Sequence, residues 1–252
     1  MELFSLKGKT AIVTGGNRGL GRSISEAFAM AGARVVILAS SDGVFEAAED
    51  FRAKGYDIIA VQCDLSDECA IAAAFDSAVA KLGGRLDVLV NNAGIQRRSK
   101  CEDFSMDDWD DVLNLNLRAV FTLCQLAGRR MIPHGGGKII NLASLLSFTG
   151  GVTVPAYAAA KGGVAQLTKA LSNEWASKGI NVNAIAPGYM ATEMNAALIA
   201  DEKRNAEILS RIPAGRWGAP EDIMGIAVFL ASSASDYVSG AVIPVDGGFL
   251  GR

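Results

Sequence analysis

Short apolar runs of strand length recur along the chain, at residues 9–14, 34–38, 58–62, 86–90, 138–142, 181–185 and 242–245. Most are followed by a polar or glycine-containing break and then by apolar residues three and four positions apart, the period of a helix with one buried face. After the first run, Leu20, Ile24, Ala27, Phe28 and Ala31 share one side, and Gly32 stops the pattern. A longer helical stretch spans about residues 106–131 and contains Asn114 and Asn116. Asparagine is a poor mid-helix residue, so two of them predict a local distortion or a functional hydrogen bond. Pro155 can open a further helix, because its missing N–H would be unpaired in the first turn. On that helix Tyr157, Lys161, Val164, Thr168, Leu171 and Trp175 fall on one face. Residues 192–218 read as helical and polar, with Leu198, Ile208, Leu209 and Ile212 as their apolar side, and a last helix covers about residues 220–231.

Strand–helix alternation without a linker or repeat predicts an α/β chain forming a single domain over residues 1–252. The expected architecture is a doubly wound parallel sheet of about seven strands, with helices on both faces and right-handed crossovers. A small helical lid, residues 190–218, follows the sixth strand, outside the regular alternation. In such sheets ligands bind at the carboxyl ends of the strands.

Composition narrows the class. Hydrophobic residues make up 50% of the 252 and charged residues 20%, enough apolar surface for a sizeable core. A net charge of -3 with no long basic run argues against a nucleic-acid surface. No segment reaches the ~18 consecutive apolar residues of a membrane span, and no leader-like run opens the chain. Cys63, Cys69, Cys101 and Cys124 form no C-x-x-C pair and suit a reduced compartment, so a soluble cytoplasmic protein is expected. The one histidine, His134, lies in a turn-like Pro-His-Gly-Gly-Gly stretch, which disfavours a His-rich zinc site or a Ser-His-Asp triad.

The candidate chemistry falls at the predicted strand ends. Tyr157 and Lys161 stand one helical turn apart, and Ser144 lies thirteen residues before the tyrosine. A neighbouring lysine cation favours the phenolate and lowers a tyrosine pKa that is ordinarily near ~10. With a serine hydroxyl holding the substrate oxygen, these groups can move a proton on and off an alcohol. A buried tyrosine beside a snorkelling lysine is the plain alternative. The first strand runs into Gly15-Gly16-Asn17-Arg18-Gly19-Leu20-Gly21 and then a helix, the setting of a phosphate-binding turn. An NAD site usually carries an acid about 20 residues after the glycines. Here that place is Ala39; Asp42, nearby, is expected to cap the next helix, while Arg18, Ser40 and Ser41 can hold a 2′-phosphate. Asp64 can accept from an adenine amino group or cap the following helix. Arg97 and Arg98 can clamp a carboxylate or stand in solvent.

Thr14-Gly15-x-x-x-Gly19-x-Gly21, Asn91-Asn92-Ala93-Gly94, Asn116, Ser144, Tyr157-x-x-x-Lys161 and Pro187-Gly188 resemble the short-chain dehydrogenase/reductase family, in order and spacing, over essentially the whole chain. The resemblance implies a Rossmann-type sheet, hydride transfer with NAD or NADP, and a homo-oligomer, usually a tetramer. It implies that Tyr157 is the acid/base, that Ser144 orients the substrate oxygen, and that Lys161 lowers the tyrosine pKa and binds the nicotinamide ribose. Asn116 would support a water leading to Lys161. Cofactor contacts follow for Gly15, Asn17, Arg18, Gly19 and Leu20 in the first turn and for Ser40, Asp64 and Leu65 at the next strand ends. They follow further on for Asn91, Ala93, Gly94, Tyr157, Lys161, Pro187 and Thr192, the last beside the carboxamide. Residues 93–98, 186–192 and 213–218 and the ending 231–252 look like the branch acting on six-carbon sugar acids of the gluconate type. That implies substrate contacts from Gln96, Arg97, Arg98, Ser144, Tyr157, Tyr189 and Arg216. A family member acting on a polyol or a 3-oxoacyl compound, and a nucleotide sensor without catalysis, are the other readings.

Overall fold

The computed structural model describes residues 2–252. Seven strands form one sheet: β1 (Thr10–Thr14), β2 (Arg34–Ala39), β3 (Ile58–Gln62), β4 (Val88–Asn91), β5 (Gly137–Leu142), β6 (Ile180–Pro187) and β7 (Val242–Val245). Their order is β3-β2-β1-β4-β5-β6-β7, and every pairing is parallel. Parallel strands buried on both faces need apolar residues at every position, which is why the runs read as continuous rather than alternating. In β1, Ile12 faces one layer while Ala11 and Val13 face the other. The Ile12 face packs against α3 (Glu68–Lys81), α5 (Ala119–Met131) and α6 (Pro155–Trp175). The opposite face packs against α1 (Gly19–Met30), α2 (Gly43–Ala53) and α9 (Met224–Ala231).

The predicted distortion lies where the asparagines are. Between α4 (Met106–Leu113) and α5 the backbone makes a π-helical turn over Asn114–Arg118. An extra residue in a helical turn rotates one side chain off the regular face. Here it turns Asn116 fully inward, where both ends of its amide bond the Ile95 backbone: Ile95 N donates to Oδ1 at 2.9 Å, and Nδ2 donates to Ile95 O at 2.8 Å. Residues 192–218 contain α7 (Ala196–Ala200) and α8 (Glu202–Leu209), with Ile208, Ile212, Leu145 and Phe249 at their apolar underside. No helix among the described residues is long and apolar enough to cross a membrane.

Candidate active site

Going from β1 to β2 and β3 the chain moves one way across the sheet, and from β1 to β4 and β5 it moves the other way. Helices therefore leave opposite faces on either side of β1, and a crevice opens at the carboxyl ends of the strands. A cavity of about 750 Å³ lies there. It is lined by Gly15, Asn17, Arg18, Gly19 and Leu20, by Ser40, Asp64 and Leu65, by Ala93 and Gly94, and by Ser144, Tyr157, Lys161, Pro187 and Thr192. Gly15 and Gly21 interlock: a Cβ on Gly21 would fall 2.1 Å from the Gly15 carbonyl oxygen, and one on Gly15 would fall 2.8 Å from Asn92 Nδ2. Gly19 has φ +51°, and a Cβ there would meet only Thr192 Cγ2, 3.8 Å away. The start of α1 thus presents bare backbone to the cavity, a cradle suited to a phosphate group.

At the inner end stand Ser144, Tyr157 and Lys161. Lys161 is 4% exposed. Its Nζ donates to Leu142 O at 2.6 Å and lies 5.6 Å from the centre of the Tyr157 ring. Burial pushes its ammonium down to about 8. Ser144 Oγ accepts from Leu146 N at 3.1 Å, which fixes the hydroxyl at the first turn after β5. The expected lowering of the tyrosine pKa is not what the structure shows. Loss of water around the phenol pushes it up, and the groups offsetting this are the Ser144 hydroxyl and the Arg98 guanidinium. The physical reason is placement: Lys161 sits over the ring and directs its charge to a carbonyl, with its own cationic form disfavoured by burial.

Other expectations need correction. Asn91 does not line the cavity: β4 turns its side chain into the interior, where Nδ2 donates to Asn141 Oδ1 at 2.9 Å. Asn141 continues to Thr168 Oγ1 at 3.0 Å, so this chain of side chains ties β4 and β5 to α6. Asn92, read from the sequence as part of the motif but given no site role, takes the place at the wall, with Nδ2 donating to Thr14 O at 2.9 Å and Gly15 O at 3.2 Å. Alternation along a strand was the available signal, since neighbours point to opposite faces. Asn116 is likewise behind the wall rather than in it. Asp42 stands at the start of α2 but makes no cap there, because its carboxylate accepts from Gln62 Nε2. Asp64 does not cap α3, a role Asp67 takes by accepting from Cys69 N; Asp64 Oδ1 accepts from Ser66.

The three arginines separate clearly. Arg216 is outside the cavity, forked onto Asp222 at 2.6 and 2.9 Å. Arg97 is at the mouth, but it is held by Asp108 at 3.1 Å and Asp111 at 3.3 Å. Asp222, Asp108 and Asp111 lie six to fourteen residues further along, and nothing local marks them as partners. Arg98 also lines the cavity and, among the described residues, donates only to the neutral Gln96 Oε1, at 2.6 Å. Arg98 is exposed as a whole, but partial loss of water around it and the nearby Arg204 lower its pKa, so an anion there would be welcome. Tyr189 does not line the cavity; it packs edge-on against Trp217 and Phe249, both with ring centres 5.5 Å away. Met190, Glu193, Met194 and Asn195 complete the rim. Their approach depends on a bridge between Met190 and Gly218, a contact that no local pattern announces.

A family profile described as Enoyl-(Acyl carrier protein) reductase matches residues 15–250. The 2-dehydro-3-deoxy-D-gluconate 5-dehydrogenase of Bacillus subtilis (strain 168) is 52% identical over 252 residues, covering 100% of this chain and 98% of the relative. The gluconate 5-dehydrogenase of Gluconobacter oxydans (strain 621H) is 42% identical over 248 residues, 98% of this chain and 96% of the relative. Among solved structures, a gluconate 5-dehydrogenase from Burkholderia cenocepacia J2315, in complex with NADP and tartrate, is similar. It superposes with a TM-score of 0.96 at 41% identity, covering 100% of this chain and 98% of that one. With its parallel sheet, its glycine cradle and the Ser144, Tyr157 and Lys161 cluster at the strand ends, this chain belongs to the short-chain dehydrogenase/reductase family.

Proposed function

We propose that the protein is an NAD(P)-dependent oxidoreductase that interconverts a secondary alcohol and a ketone on a six-carbon sugar acid of the gluconate type. The observation carrying this reading is that one cavity holds the glycine cradle at one end, Ser144 with Tyr157 at the other, and Arg98, without a carboxylate partner among the described residues, beside them. The names of the relatives point the same way. Bare backbone at Gly19 and the start of α1 suit a pyrophosphate, and Asn17, Leu20, Asp64, Leu65, Pro187 and Thr192 line the rest of the cofactor's place. Bound there, a nicotinamide cofactor supplies the two-electron hydride exchange that the side chains cannot perform.

The chain's own residues do the rest. Ser144 donates a hydrogen bond to the substrate oxygen and aligns it with the phenol of Tyr157. In oxidation Tyr157, as phenolate, takes the hydroxyl proton while the carbon–hydrogen bond breaks. In reduction the neutral phenol gives that proton to the carbonyl oxygen. Lys161 lies beside the phenol, its Nζ held against Leu142 O. Arg98 holds the acid group of the substrate and places its charge near the phenol. By family expectation the working form is a cytoplasmic homotetramer, which sedimentation would check.

The test is a screen at the nicotinamide absorbance that crosses NAD and NADP with sugar acids, free sugars, polyols and 3-oxoacyl compounds. Turnover of gluconate-type acids is expected; turnover confined to 3-oxoacyl compounds or polyols would overturn the assignment. Arg98→Ala should raise the KM for the sugar acid about tenfold or more, as befits a charge-assisted contact worth about 1.5–3 kcal/mol, while Arg216→Ala leaves it unchanged.

A further inference from the structure

Arg18 belongs to the glycine turn and stands at the N-cap position of α1 in extended backbone. Its Nη1 lies 2.9 Å from Glu193 Oε2, and Glu193 opens the short 3-10 turn Glu193–Asn195 that follows β6. Both residues line the cavity, so this ion pair runs across its mouth from the phosphate-binding turn to the lid. The contact is single-pronged, and the two side chains are 74% and 78% exposed. Such an exposed pair is weak in water and exchanges readily for a better partner. A phosphate is that partner, because a guanidinium can grip it with two parallel bonds. Ser40 and Ser41 line the same cavity at the end of β2, and Ala39 puts no acid there to hold a ribose hydroxyl.

Resting on the dinucleotide reading of the cavity, we infer that Glu193 is a cofactor-selectivity residue: its carboxylate competes with the 2′-phosphate of NADP for Arg18. NAD carries no 2′-phosphate and leaves the Arg18–Glu193 strap in place between turn and lid. NADP binds by drawing Arg18 off Glu193, and its affinity is reduced by whatever that pair was worth. Glu193 thereby narrows the advantage that Arg18 offers to NADP, without touching the reacting atoms.

The experiment measures dissociation constants for NAD and NADP by titration calorimetry with wild type, Glu193→Gln, Arg18→Ala and the double variant. The expected result for Glu193→Gln is NADP binding about two- to fivefold tighter, the ratio equivalent to about 0.4–1 kcal/mol, with NAD unchanged within twofold. In the Arg18→Ala background the same change should do nothing, because the contested cation is gone. An equal shift for both cofactors, an unchanged NADP value, or an undiminished effect without Arg18 would each overturn the inference. Wild type that binds neither cofactor would instead overturn the reading of the cavity itself. Glu193 is exposed, so its substitution does not threaten the fold.

Discussion

Burial shifts both Tyr157 and Lys161 toward the form that carries less charge. Burial raises the phenol and lowers the ammonium, so neither group is a convenient ion in this pocket. Tyr157→Phe removes the proton carrier while keeping the ring, and should lower turnover by about 10²–10⁴-fold with cofactor affinity unchanged, measured by steady-state rates beside a binding titration. Lys161 has a consequence for stability. Its pKa falls from the ordinary 10.5 to about 8 on folding. Between those values the unfolded chain binds more protons than the folded one, so stability rises with pH through that window. Below about pH 8 the cost of the buried charge is fully present. Lys161→Met lacks this term. Comparing thermal midpoints at about pH 7 and about pH 10, the difference between wild type and variant should move in favour of wild type, by at most about 3 kcal/mol. A constant difference would mean that the lysine is not desolvated as its surroundings imply. Thr153, with φ +64°, is the one non-glycine among the described residues in the left-handed region, and its carbonyl accepts from Ser99 N at 3.0 Å in the irregular segment that carries Arg98. Backbone strain of this kind gathers where a loop must be held in one place.

At the scale of elements, the π-helical turn over Asn114–Arg118 is the device that joins the helical layer to the rim of the cavity. A regular helix would leave Asn116 on another face; the widened turn brings it to Ile95, whose N–H and C=O it satisfies together. Ile95 in turn starts the segment that bears Gln96, Arg97 and Arg98. Asn116→Ala would leave two part-buried backbone groups of Ile95 without their partner, at roughly 1–3 kcal/mol. A midpoint lower by about 2–12 °C in a melting experiment is expected, together with a raised KM for the sugar acid as Arg98 loses its anchor. A variant with full stability would show that the π turn has no part in holding the rim. Helix α6 works from the other side. Pro155 opens it, and Val164, Thr168 and Leu171 bury its stripe, which leaves Tyr157 and Lys161 at its cavity end.

Over the whole molecule the two ends of the sheet do different work. All seven strands are parallel, so their carboxyl ends meet in one crevice and their amino ends in another place. At the amino ends Asp87 is the brace between β1 and β4. Its carboxylate accepts from Thr10 N and Oγ1 at 3.0 Å each and from Arg85 at 2.7 and 2.9 Å. Burial alone would raise its pKa; the bonds from Arg85 and Thr10, with Lys9 nearby, outweigh that and hold it below the ordinary carboxylate value. The stabilisation is therefore present above the usual carboxylate pKa of about 4 and is lost as pH falls through the lower folded value. Asp87→Asn should cost about 3 kcal/mol near neutral pH and flatten the decline of the melting midpoint on the acid side. KM and kcat of the surviving enzyme should not change, because the substitution lies at the end of the strands away from the cavity.

The apolar runs and the helical periods of this sequence determine the architecture, because a buried parallel strand and a one-faced helix each demand a pattern that little else produces. The glycine turn, Ser144, Tyr157 and Lys161 were legible for a related reason: they stand at fixed offsets within single elements or at their ends, where local geometry decides what meets. The arginines were not. Whether Arg97, Arg98, Arg216 or Arg18 faces a ligand depends on Asp108, Asp111, Asp222 and Glu193, which only chain reversal brings within reach. The same holds for the direction of the tyrosine shift, since desolvation is a property of everything packed around a group. Tertiary structure alone decided which of these charges were already paired with an acid, and hence which one has no acidic partner among the described residues.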